Sequence, residues 1–132
     1  MTAVQGPGER WVLLARSGDD ETLAALASCA VSAASLGIEV RVVWDGEALR
    51  RLANDRLEPL GESARRFAHS GRAGARGIFE QAGDDLPIEH FACSAAAELA
   101  GGAAATLEFV KEVVGWPTTI GWIRLADKTL TF

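Results

Sequence analysis

The chain has 132 residues, 48% hydrophobic and 23% charged, the balance of a globular protein long enough to bury roughly two thirds of its unfolded surface. Thirteen Lys+Arg against 18 Asp+Glu leave a net charge of -5, so no overall field draws in nucleic acid or an anionic membrane, and neither is an expected partner. No stretch reaches the roughly 20 apolar residues of a membrane span, and MTAVQGPGER has no basic segment leading into an apolar core, so neither membrane insertion nor a signal peptide is expected.

These absences point to a cytoplasmic location, where the two cysteines are expected to remain thiols. Residues 1–9, with two glycines and a proline, read as a flexible tail before a single domain over 10–132. Trp11 to Ala15 has the length and composition of a buried strand, and RSGDD breaks it. From Glu21 to Leu36, Leu23, Leu26, Ala27, Ala30 and Ala34 recur at helical spacing; Asp19 or Asp20 caps the start and Gly37 supplies a left-handed stop.

Ile38 to Trp44 is rich in β-branched residues and reads as a second strand, followed by a short helix from Glu47 to Asn54. Helical pieces are expected around Glu62 to Phe67 and from Ala75 to Ala82. Ile88 to Ala92 is a third strand ending at Cys93, and Ser94 to Ala100 is a helix stopped by Gly101-Gly102. Val110 to Val114 makes a fourth strand, Thr118 to Asp127 a helix with Pro117 near its first turn, and Lys128 to Phe132 a fifth strand. Short apolar strands separated by helices predict an α/β fold, three layers deep, with a mostly parallel sheet of about five strands covered on both faces.

In an open parallel sheet, ligands gather where the carboxyl ends of strands meet helix N-termini. The first such junction, ARSGDDET, lacks the glycine spacing of a dinucleotide fingerprint, and Asp19, Asp20 and Glu21 would repel phosphate. No cofactor is expected, and these acids are either helix caps or a polar wall beside a neighbouring site. The second junction, HFACSAAAEL, has no acid in its first helical turn, so the helix terminus is open to an anion and a thiol at Cys93 would ionise more easily there. The alternative is that Cys93 is a small buried hydrophobe.

Cys29 lies inside the first helix, ~13 Å down its axis, too far for a bridge to Cys93. His90 is three residues before Cys93, an odd spacing that turns the two side chains to opposite faces of a strand and makes His90 structural. No arginine follows Cys93 closely enough for a phosphatase or rhodanese loop, and no tetrahedral metal set is evident. Arg65, Arg66, Arg72 and Arg76 form either a solvated loop or a docking patch for an acidic partner or anionic substrate. Trp11 and Trp44 are expected in the core; Trp116 and Trp122 line a cleft or a subunit interface.

In order, "RSGDDE", an Ala-rich helix, "GIEVRVVWDGEALRRL", an arginine-bearing insert, "IEHFACSAAAEL" and "VVGWPTTIGWIRLADKTLTF" resemble the DsrE/DsrF-like sulfur-relay family, over about Trp11 to Phe132. The single-domain members labelled peroxiredoxin-like are the most similar. The resemblance implies a three-layer fold, a homo-oligomer of three or six chains, and Cys93 as a sulfur carrier or sulfurtransferase residue that takes sulfane sulfur from a donor protein and passes it to an acceptor. It further implies Ser94, Ser17 and Gly115 as substrate-binding residues around that thiol. Ala95, Ala96 and Ala97 stand where relatives often have methionines and a further hydroxyl residue. The rival reading is a non-catalytic oligomeric binding module for a small anion or nucleotide, with Cys93 only packing.

Overall fold

A computed structural model describes residues 8–53, 57–99 and 110–132. Among these residues five strands and six helices follow one another as β1 (Arg10–Ala15), α1 (Asp20–Ser35), β2 (Glu39–Trp44), α2 (Gly46–Ala53), α3 (Gly61–Ser70), α4 (Ala75–Ala82), β3 (Ile88–Cys93), α5 (Ser94–Leu99), β4 (Val110–Val114), α6 (Trp116–Leu125) and β5 (Lys128–Thr131). The strands form one sheet in the order β4-β3-β2-β1-β5, and every described pairing is parallel. The α/β class and the five-stranded parallel sheet expected from the strand and helix pattern are what the chain forms.

The strand order dictates the layers. From β1 to β4 the chain steps in one direction, and right-handed crossovers put the intervening helices on one face; the return from β4 to β5 at the opposite edge puts α6 on the other. Side chains agree with this placement. Phe79 of α4 packs edge-on against His90 at 4.9 Å, whereas Trp122 of α6 lies 4.4 Å from Phe91, the next residue along β3. The face under α1 and α4 carries the larger core, in which Leu13, Val40, Val42, Trp44 and Ala92 meet Leu23, Leu26, Ala27, Ala30 and Ala34.

Helix α1 begins where Asp19 accepts a hydrogen bond from the Thr22 backbone N–H at 3.0 Å, and Gly37, at φ 88°, turns the chain back after it. Asp20 has another task. It pairs with Arg51 of α2 and accepts from the Leu60 N–H at 3.1 Å, while Arg51 also donates to the Gly18 carbonyl at 2.8 Å and the Glu58 carbonyl at 2.7 Å. Of the two uses expected for these acids, Asp19 is a cap, and Asp20 joins α1 to α2 and to the segment before α3.

Several boundaries differ. The helix expected to reach Asp127 stops at Leu125, because Asp127 is drawn into pairing with β1: its carboxylate accepts from the Arg10 N–H and its own N–H donates to the Arg10 carbonyl, both at 2.8 Å. Helix α3 runs past Phe67 to Ser70, where Gly71 at φ 70° ends it. The β3–β4 register shifts between His90 and Phe91. Asn54, Ala100 and the Gly101-Gly102 stop lie outside the described residues, as do all but Gly8 and Glu9 of the expected tail.

Candidate functional site

Side chains two apart in a strand share a face. Leu14, Val43 and Phe91 lie side by side in register across β1, β2 and β3 under α6; two residues on, at or just past the strand ends, come Arg16, Asp45 and Cys93. Leu14, Arg16, Val43, Asp45 and Cys93 line a small recess whose roof is Trp116 and Thr119 of α6. The space is about 10 Å³, room for roughly one water.

Because relay brings the sulfurs of two proteins together, it requires a thiol that is at least transiently exposed, and Cys93 is 5% exposed. The cause is the first turn of α6, which starts from Gly115 and crosses the strand end, burying Thr119 to 2%. The Thr119 hydroxyl donates within the helix, to the Gly115 carbonyl at 3.2 Å. Trp116 is 45% exposed and forms the outer wall. At the rim, Arg16 Nε stands 3.4 Å from Asp45 Oδ2, with the arginine side chain 61% exposed, so the opening is charged although its floor is apolar.

Cys93 alone of the four residues implied by the resemblance lines the recess. Ser94 is the first residue of α5, and its Oγ lies 3.7 Å from where a Cβ on Gly115 would sit, so these two residues meet beside the thiol. Ser17 is engaged elsewhere. Its Oγ accepts from the Asp19 N–H at 3.0 Å and its N–H donates to the Phe132 carbonyl at 3.1 Å. Sequence reasoning did not single out Arg16, Asp45 or Thr119; counting by twos from the strand ends would have found the first two.

His90 occupies the opposite face of the sheet from Cys93. Its Nδ1 accepts a hydrogen bond from Trp44 Nε1 at 3.0 Å, which requires the neutral tautomer protonated at Nε2. Burial pushes its pKa down to about 4. Both cysteines are free, and burial raises the Cys29 pKa. Among the described residues no group of three or more His, Cys, Asp or Glu stands close enough to hold a metal ion. In the arginine-bearing insert, Arg66 lies 3.6 Å from Glu21, Arg76 pairs with Glu80 at 2.8 Å, and Arg72 sits over Phe67.

No family model matches the sequence, and no curated protein matches it. Among solved structures, the crystal structure of the YchN protein from E. coli is similar, with a TM-score of 0.61, 14% identity, and coverage of 96% of this chain and 100% of that one. The fold is DsrE-like. At this identity the likeness concerns the fold, the three layers and the parallel sheet, and the chemistry must be argued from the residues.

Proposed function

We propose that this protein is a small sulfur carrier in which Cys93 holds sulfane sulfur as a persulfide. The observation that carries the reading is the position of Cys93 in a recess at the carboxyl edge of the sheet, with an apolar floor and the Arg16–Asp45 pair at its rim. An apolar wall excludes water from a reactive S–S bond, and a charged rim can orient the tail of an incoming donor.

In the loading step Cys93 gives up its proton, and the thiolate attacks the outer sulfur of a donor persulfide. A new S–S bond forms on Cys93, the donor's S–S bond breaks, and the donor leaves as a thiolate. Unloading repeats the exchange with the acceptor's thiolate, so no external oxidant or reductant is consumed. Both steps need α6 to move, because the recess admits only about one water. A reducing cytoplasm suits the two free thiols. The working unit in this proposal is a homo-oligomer, and Trp116 and Ile120, one helical turn apart and 45% and 52% exposed, offer α6 as a contact surface.

The burial of Cys93 favours a second reading, in which the recess is packing and the scaffold serves as a binding module. Intact-mass analysis after exposure to a persulfide donor separates them. A gain of one sulfur atom, reversed by reductant, present in Cys29→Ala and absent in Cys93→Ala, is the carrier's result. An unmodified Cys93 in a folded protein would sink the carrier reading.

A further inference from the structure

A larger opening lies at the other edge of the sheet, on the same face. It is a cleft of about 450 Å³ under the C-terminal end of α6, bounded by Arg10, Glu39, Arg41, Glu89, Trp122 and Leu125. By strand register Glu89 of the cleft lies four residues below Cys93 of the recess, about 13 Å along the sheet. This volume is in the range of small-molecule sites.

Its charges are unequally committed. Glu39 pairs with Arg10 at 3.0 Å, Glu89 pairs with Lys111, and the nearby Asp127 carboxylate takes the Arg10 backbone N–H at 2.8 Å. Arg41, half-buried and between Val12 and Glu89 in the register of the sheet, has no carboxylate within ion-pair distance among the described residues. Its partner is an aromatic face: the guanidinium lies 4.5 Å from the Trp122 ring centroid, and that ring rests in turn on Phe91 at 4.4 Å.

A guanidinium at the middle of the central strand loses hydration without gaining a counter-ion, a costly choice where a β-branched residue would serve the sheet better. The stacking holds its fork in one plane, which removes most of the entropy loss that binding would otherwise impose. One uncommitted cation beside two carboxylates suits a monoanion and disfavours a dianion such as phosphate. Val12, Pro87, Trp122 and Leu125 supply apolar walls. We propose that this cleft binds a small carboxylate on a flat apolar body, gripped by Arg41 and laid along Trp122. The inference is independent of whether Cys93 carries sulfur.

The test uses the whole protein and naphthoate as probe, with the indole N–H resonance of Trp122 as readout. A saturable shift is expected, with affinity at least tenfold weaker for neutral naphthamide and for Arg41→Gln, intermediate for Arg41→Lys, and unchanged in Cys93→Ala. The amide comparison requires no variant to fold. Equal binding of naphthamide, binding that survives in Arg41→Gln, or no saturable shift at millimolar naphthoate would each overturn the site.

Discussion

Trp116 forms the outer wall of the recess that holds Cys93. With Thr119 it closes the recess, and the thiol behind them is 5% exposed. Replacing it with alanine opens that wall, so Trp116→Ala is expected to raise the rate of Cys93 alkylation at least tenfold while leaving Cys29 unchanged, read by mass spectrometry of digested protein. An unchanged Cys93 rate would place the barrier elsewhere. His90 makes a prediction of the opposite kind, about pH. Its folded pKa of about 4 lies below the unfolded value of about 6.5, so the native state binds fewer protons between these limits. Stability from this group is complete above pH 6.5 and is lost as pH falls toward 4, by at most about 3 kcal/mol and less because the residue is only part-buried. Denaturant titrations of wild type and His90→Gln should differ in slope over that window; parallel curves would contradict the buried neutral imidazole. The thiol at a strand end and the structural histidine on the other face were legible in the sequence, since both follow from a period of two. The lid was not, because nothing local to Cys93 says that a helix beginning 23 positions later will cross it.

At the scale of elements, local signals and long-range pairing divide the credit. The first helix could be read from its cap, its apolar spacing and Gly37, all within about 20 residues. The last helix could not be ended correctly, because Asp127 answers to Arg10 at the far end of the chain. A comparable long-distance constraint sits at the start of α4. Gly74 is buried, and a Cβ there would stand 2.5 Å from Cδ of Pro59, a ring that cannot rotate away. Its φ of -76° suits any residue, so the constraint is space rather than backbone strain. Gly74→Ala is expected to cost about 1–3 kcal/mol by overpacking, measured by thermal or urea unfolding. A change below about 0.5 kcal/mol would mean that the segment around Pro59 yields freely.

For the molecule as a whole, the two faces of the sheet are unequal. One carries the large core beneath α1 and α4, and the other has α6 above it among the described residues. Strand count, class and parallel direction were readable because the strands are short and a helix separates each from the next. The unevenness was not, since it arises from β5 joining the edge beside β1, a strand order that no local pattern encodes. If the α6 surface forms the contact between subunits, Ile120→Glu should lower the mass seen in sedimentation toward that of one 13.9 kDa chain without unfolding it. An unaltered mass would move the interface elsewhere.

Helix α6 roofs both openings: Trp116 stands over the thiol at one end, and Trp122 and Leu125 over the charged cleft at the other, about 9 Å along the same rod. A rod of under three turns tilts as one piece. A tilt that uncovers Cys93 therefore also moves the indole on which Arg41 rests, which would couple the two proposed sites. If Cys93 carries sulfur and the cleft takes a carboxylate as proposed, linkage makes the effect mutual: whatever factor an occupant of the cleft imposes on loading equilibrium at Cys93, a loaded Cys93 imposes on affinity at the cleft.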